Sequence, residues 1–256
     1  MTGLKPVWAE AYSVHSYEVD REGHVTAPHL CRYLQETAYY HAEHLGVGHS
    51  VLSASGRAWM LLGLAIRMDR YPRWHDTITV RTWPSARDRI YYHRDFRFFL
   101  EDEPVGIATT KWITVDIAKH RPCRADLDFH IPYERMEKVW PDAFDHLRTP
   151  ETEDIRRTVE AGYLDLDVNA HVNNIRFMEW ILDGFSADFH QTRMLMELAI
   201  RFQAEAVFGD RIHIRQTEPV ADRFEHSLIR ERDGRETCRA CSFWAKKSKY
   251  CGERKA

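Results

Sequence analysis

The chain repeats itself. Leu64-Ala65-Ile66-Arg67 returns as Leu198-Ala199-Ile200-Arg201, 134 residues later, and the register then holds without a gap: Asp76 falls on Asp210, and Ile78 and Val80 fall on Ile212 and Ile214. Upstream, Asp20, His24 and Val25 match Asp167, His171 and Val172 at an offset of 147. Downstream, Ala108 and Trp112 match Ala240 and Trp244 at an offset of 132. Three matches in one order at similar offsets mark two tandem copies of one fold, since solenoid repeats have shorter periods. Half of a 256-residue chain, about 130 residues, is an ordinary domain size.

Within each copy the order of elements is the same. An opening strand (residues 12–19 and 157–164) leads through a turn into a helix (28–45 and 174–185), and four strands follow. These are 59–68, 76–83, 91–100 and 107–116, then 194–203, 210–217, 223–232 and 236–245. One helix followed by hairpin-connected strands is an α+β pattern with an antiparallel sheet packed over the helix. The division expected is an N-terminal domain over 1–132, a proline-bearing linker over 133–155 with a short helical piece near Tyr133, and a C-terminal domain over 156–256. The last residues, from Lys246 on, read as a polar frayed tail.

Composition excludes several classes. A net charge of −3 argues against a general nucleic-acid binder. No apolar run approaches the roughly 20 residues of a membrane span. The first residues lack a signal-peptide core, so a cytoplasmic protein is expected. Five cysteines (Cys31, Cys123, Cys238, Cys241 and Cys251) without a secretory signal argue against a disulfide framework. Cys238-x-x-Cys241 has metal-site spacing, but it sits in a strand where thiols three apart face opposite sides. Structural cysteines are the better reading. With no phosphate loop, zincin motif or nicotinamide fingerprint in sight, neither metal nor cofactor is expected.

The chemistry concentrates in Asp167-Val-Asn169-Ala-His171-Val-Asn173-Asn174. Acid, base and amide groups alternate there, and Asn173 or Asn174 is a natural N-cap for the helix that follows. A helix start favours developing negative charge through its free N–H groups and dipole. Histidine exchanges protons near neutrality. The first copy keeps Asp20 and His24 but has Glu22, Thr26 and Ala27 where the second has Asn169, Asn173 and Asn174. The active centre is therefore placed in the second copy. With no nucleophile elbow or Ser-His-Asp pattern, direct attack by water is the expected chemistry.

These residues carry a resemblance. The segment from Asp165 to Asn174 with Glu179-Trp180, together with Ser16 to Asp20, Tyr33 to Ala38, Arg70 to Asp76, Thr82-Trp83, Arg94 to Phe96 and Arg121-Pro122, resembles the plant and bacterial acyl-acyl carrier protein (acyl-ACP) thioesterase family over nearly the whole chain. The resemblance implies a tandem hot-dog fold, each sheet wrapping a long central helix, and a part in fatty acid biosynthesis as a thioester hydrolase. The family's Asp-x-Asn-x-His falls on Asp167, Asn169 and His171, and its further carboxylate falls on Glu205, before Gly209-Asp210. Many plant relatives have cysteine after that glutamate; Ala206 stands here, which removes a cysteine nucleophile. The first copy has Tyr71 opposite Glu205.

The implied reaction hydrolyses a fatty acyl thioester on the phosphopantetheine arm of acyl carrier protein, with Glu205 and His171 activating water, Asn169 orienting it or the carbonyl, and Asp167 positioning the histidine loop. The acyl chain is expected in the first domain, with Leu30, Leu34, Trp59, Leu61 and Leu64 as candidate liners and Asn173 and Asn174 as further substrate contacts. A buried methylene is worth about 0.8 kcal/mol, so chain-length preference is shallow unless a side chain blocks the tunnel. An acidic carrier calls for a basic face: Arg87, Arg89, Arg94 and Arg97, or Lys246, Lys247 and Lys249. Acyl-coenzyme A is the alternative substrate, and a non-catalytic acyl-binding sensor the alternative of a different class. A monomer built as a pseudo-dimer and a homodimer are equally open.

Overall fold

A computed structural model describes residues 5–119, 121–124 and 133–247. Cys251 and Lys249 lie outside them, as do residues 125–132. The chain divides into two compact units, Met1–Pro141 and Asp142–Ala256.

In the first unit, β1 (Trp8–Ser13) is followed by α1 (Ala27–His44), α2 (His49–Ala54), β2 (Arg57–Met68), β3 (Thr77–Asp88), β4 (Tyr91–Leu100), β5 (Glu103–Asp116) and a short β6 (Arg121–Cys123). The strands are antiparallel in the order β1-β3-β4-β5-β2, with β6 paired on β5. Helix α1 buries Leu30, Cys31, Tyr33, Leu34, Thr37 and His41, the one-sided spacing of an amphipathic helix. It ends in a Schellman motif: Gly46 is left-handed at φ 72°, its N–H donates to Glu43 O, and the N–H of Val47 donates to Ala42 O. Tyr12 of β1 stacks on Tyr33 at 4.5 Å and bonds Thr37 Oγ1 at 2.9 Å, which seats the helix against the sheet.

In the second unit, β7 (Ile155–Glu160), α3 (Asn174–Leu182), α4 (Ala187–Thr192), β8 (Arg193–Phe202), β9 (Arg211–Val220), β10 (Arg223–Arg230) and β11 (Arg235–Lys246) follow in turn. The strand order is β8-β11-β10-β9-β7, again antiparallel. Its core includes Met178, Ile181, Leu198, Ile200 and Ile212.

Some expectations change. The opening strand runs four residues earlier than read and stops at Ser13, because His15 and Glu18 form a capping box that turns the chain into a 3-10 helix at Ser16–Glu18. The second copy's opening strand likewise ends at Glu160, before a 3-10 helix at Tyr163–Asp165. The second helix is not long: nine residues, ending at Leu182. Phe185 lies beyond it and instead meets Phe189 at 4.6 Å, Phe224 at 4.9 Å and Trp244 at 4.9 Å. Helices α2 and α4 were not read from the sequence.

Residues 133–140 stay with the first unit. Trp83 Nε1 donates to Glu137 O at 2.8 Å, Val139 N–H to Asp95 Oδ2 at 3.0 Å, and the Arg67 guanidinium lies 4.2 Å from the Trp140 ring.

Candidate active site

Asp167 builds the loop that carries His171. Its Oδ1 accepts the N–H of Asn169 at 2.8 Å and of His171 at 3.3 Å, and its own N–H donates to His171 O at 2.8 Å. So tight a turn needs one left-handed residue, and Ala170 takes it at φ 60°. The first unit builds the same clasp on Asp20: Glu22 and His24 N–H donate to Oδ1 at 2.9 and 3.0 Å, and Gly23 is the left-handed residue at φ 80°. The facing loops agree as well, with His75 at φ 73° in the first and Gly209 at φ 79° in the second.

A second loop, between β8 and β9, brings the carboxylate. Val172 N–H donates to Ala206 O at 2.8 Å, and His171 forms an isolated bridge with Val207. Asp210 Oδ2 accepts the Val207 N–H at 2.9 Å. This places Glu205 Oε2 3.2 Å from His171 Nε2, both side chains part-exposed (46% and 34%). With Glu205 ionised, Nε2 carries the proton and donates. Asn169 is exposed on the same loop, its main chain tied to Asp167.

The structure thus brings His171 and Glu205 into contact and has Asp167 hold the histidine's loop. Asn173 is the N-cap of α3, its Oδ1 accepting Ile175 N–H at 2.9 Å, and Asn174 is the first helical residue. Asn173 O also accepts the Arg176 N–H, so two of the first-turn donors, on Ile175 and Arg176, are engaged by the cap. Those two donors are therefore not available to an oxyanion. Leu30 and Leu34 on α1, and Leu61 and Leu64 on β2, are buried in the first unit. Trp59 is half-buried, bonds Val47 O at 2.9 Å and meets Tyr92 edge-on at 5.0 Å.

Other parts were not visible beforehand. Arg230 at the end of β10 is buried; its Nη1 donates to the main-chain oxygen of Glu205, and its Nε and Nη2 grip Asp233 at 3.0 and 2.6 Å. That guanidinium pulls the Asp233 carboxyl down to about 2. Large apolar side chains stand exposed on the two loops and just before them: Tyr163, Leu164, Val168 (95% exposed) and Phe208. No helical or strand period predicts them.

Of the basic groups expected on a docking face, Arg94 turns inward. Its Nη1 reaches the buried His41 Nδ1 at 2.9 Å and Thr82 Oγ1 at 3.2 Å, and burial lowers its pKa to about 10. Arg94 alternates with Tyr92 and Phe96 on the buried side of β4, a position the strand period could have assigned. Arg97 pairs with Glu137, and Arg87 lies 5.2 Å from the Tyr92 ring. Cys238 and Cys241 are both buried on β11, and Cys241 Sγ takes an Arg223 N–H at 3.7 Å. In the first unit, Asp20, Glu22 and His24 have potential ligand atoms within 4.8 Å of one another; Asp20 Oδ1 there already accepts the two loop N–H bonds.

Residues 5–133 match the family model for the acyl-ACP thioesterase N-terminal domain, and residues 148–246 match that for the acyl-ACP thioesterase C-terminal domain. The chain belongs to the acyl-ACP thioesterase family. Among curated relatives, it is 24% identical over 93% of its length to a chloroplastic acyl-[acyl-carrier-protein] hydrolase of Cuphea viscosissima, spanning 61% of that protein. It is 25% identical over 94% of its length to a chloroplastic oleoyl-acyl carrier protein thioesterase of Arabidopsis thaliana, spanning 76% of it. The chain spans about three-fifths of the length of the first such plant relatives. Among solved structures, an acyl-ACP thioesterase from Bacteroides thetaiotaomicron superposes with a TM-score of 0.82 at 24% identity, covering 94% of this chain and 98% of that one. A 12:0-ACP thioesterase from Umbellularia californica gives 0.83 at 20% identity, covering 96% and 99%. The hot-dog fold expected from the sequence is the fold of this family. No helix among the described residues is long and apolar enough to cross a membrane.

Proposed function

We propose that the chain hydrolyses the thioester of fatty acyl-ACP, releasing free fatty acid and so ending chain elongation. The observation that carries this reading is the part-exposed pair His171 Nε2 and Glu205 Oε2, 3.2 Å apart on two cross-braced loops. Domain roles follow the sequence reading: 1–132 for the acyl chain, 156–256 for catalysis, 133–155 between them. Leu30, Leu34, Trp59, Leu61 and Leu64 are the proposed lining.

Glu205 is the base. His171 donates Nε2–H to Oε2, which leaves Oε1 to take a proton from water. The water oxygen bonds the thioester carbon, and the carbonyl electrons move onto oxygen, where the exposed Asn169 amide N–H stabilises them. One such donor is commonly worth about 3 kcal/mol. Collapse re-forms the carbonyl and breaks the C–S bond, and the proton held by Glu205 goes to the leaving thiolate. General acid–base help of this kind contributes about 10²–10⁴-fold. Tyr163, Leu164, Val168 and Phe208 offer the apolar contact that an amphipathic pantetheine arm needs. The carrier is acidic, and the reading places the chain in the compartment where acyl chains grow on that carrier.

The test is hydrolysis of a panel of acyl-ACPs and matched acyl-coenzyme A thioesters from about eight to eighteen carbons, the span over which 0.8 kcal/mol per methylene would show a preference, with His171→Ala as control. Faster His171-dependent release from the protein carrier supports the proposal. Preference for coenzyme A moves the activity to that substrate, and acyl binding without hydrolysis makes the chain a sensor.

A further inference from the structure

We infer that Arg230 is a positioning residue for the reaction, holding Glu205 so that its carboxylate faces His171. The inference rests on the reading of Glu205 and His171 as the active pair. Three successive residues of the β8–β9 loop have their main chain fixed by hydrogen bonds. Glu205 O accepts Arg230 Nη1–H, Ala206 O accepts Val172 N–H at 2.8 Å, and Val207 N–H donates to Asp210 Oδ2 at 2.9 Å. The last two bonds fix the loop to the histidine segment and to itself. Only the first acts on the glutamate. Arg230 is in turn oriented by the two-bond grip of Asp233, while Asp210 Oδ2 stands 3.9 Å from Nη1 and Asp210 Oδ1 takes Arg232 Nε at 2.8 Å. A guanidinium fits this place because its fork can hold a carboxylate with two nitrogens and a carbonyl with the third.

The first unit is an internal control. Strand β9 pairs Ile212 with Arg230, and strand β3 pairs the matching Ile78 with Leu100. Leu100 is therefore the counterpart of Arg230, as Tyr71 is of Glu205. Both are buried. The bonds common to catalytic and non-catalytic copies recur: Val25 N–H to Pro72 O at 2.8 Å, and Arg73 N–H to Asp76 Oδ2 at 2.8 Å. The arginine is present only where the glutamate is. In the first unit the corresponding place is held by Leu100, which offers no donor to the loop's main chain.

The experiment is a double-mutant cycle on the full chain, using the acyl-ACP turned over fastest, with kcat, KM and Tm measured for each variant. Arg230→Met is expected to lower kcat by about 10–100-fold, as displacements near 1 Å do, with KM changing by less than about threefold. Arg230→Lys recovers part of the loss. Asp233→Asn, at a part-exposed side chain, gives a smaller fall in kcat with a modest fall in Tm, and keeps the test open if Arg230→Met does not fold. In a Glu205→Gln background, Arg230→Met is expected to change the residual kcat by less than about twofold, because residues acting as a unit are non-additive. An equal loss in both backgrounds, or wild-type kcat in Arg230→Met, overturns the inference while leaving the active pair intact. Wild-type turnover by Glu205→Gln overturns the active pair and, with it, the role of Arg230.

Discussion

Asp167 closes on His171 twice, accepting its N–H on Oδ1 at 3.3 Å and donating to its carbonyl at 2.8 Å, so the histidine's backbone is set by a carboxylate four residues earlier. Asp167→Ala removes the acceptor for two N–H groups. A hydrogen bond to a charged group is worth about 1.5–3 kcal/mol, and part of that loss should appear as a roughly 10–100-fold fall in kcat. Asp167→Asn keeps an oxygen at the same place and should retain more activity. Steady-state kinetics of the two variants check this; equal, wild-type-like rates would remove Asp167 from the positioning scheme.

The left-handed residues give a stability prediction. Gly23 at φ 80° has nothing within 4 Å of where a Cβ would stand, so Gly23→Ala meets backbone strain alone. A cost of about 1 kcal/mol is expected. Ala170, in the matching turn at φ 60°, already bears that strain. Ala170→Gly should therefore be neutral or stabilising, by up to about 1 kcal/mol. Urea midpoints at constant m-value measure both. A stabilising Gly23→Ala would contradict the assignment.

Two buried histidines set a pH dependence. Burial pushes His226 down to about 3, beside Ser242 Oγ at 2.9 Å. Burial, then the charge of Arg94, pushes His41 down to about 4. Unfolded histidine titrates near 6.5. As pH falls below 6.5 the unfolded chain binds protons that the folded chain refuses, so stability falls until pH reaches the folded values. The slope is at most about 1.4 kcal/mol per pH unit for each histidine. Asp233 acts in a separate window, losing its contribution as pH falls from its usual carboxylate range toward 2. Denaturation from pH 7 to 5 should show the slope in the wild type and about half of it in His226→Gln; a flat profile in the wild type would refute the histidine account.

Thiol chemistry separates the cysteines. Burial raises Cys31, Cys238 and Cys241, the last despite the nearby Arg223, and thiols react as thiolates. In native protein these three should resist alkylation, while the half-exposed Cys123 is labelled ahead of them. All three should react once the chain is unfolded. Peptide mapping after brief iodoacetamide treatment reads this out, and rapid native labelling of Cys238 or Cys241 would contradict their burial.

Several elements were legible because their physics is local. Strand β4 was read with both ends correct, since apolar residues alternate between turn signals. The apolar face of helix α1 places it within a residue at each end. Strand β1 was misplaced because its outward positions include Ala9 and Ala11, small apolar residues that blur the alternation of Trp8, Glu10 and Tyr12. Arg94 was taken for surface because its charge outweighed its place between Tyr92 and Phe96, and only its bonds to His41 and Thr82 correct that.

By itself the sequence determined the two-copy plan, the copy that carries Asp167, Asn169 and His171, and the position of Glu205 opposite Tyr71. Each of these is written in identities and offsets along the chain. Only the tertiary structure decided that Glu205 meets His171, that Arg230 holds the glutamate's backbone 25 positions away, and that Asn173 takes the Ile175 and Arg176 N–H groups at the helix start. Those contacts depend on strand register and on how two loops close over each other. Hydrophobic period reports which face of an element is buried, not which polar atoms meet across a turn.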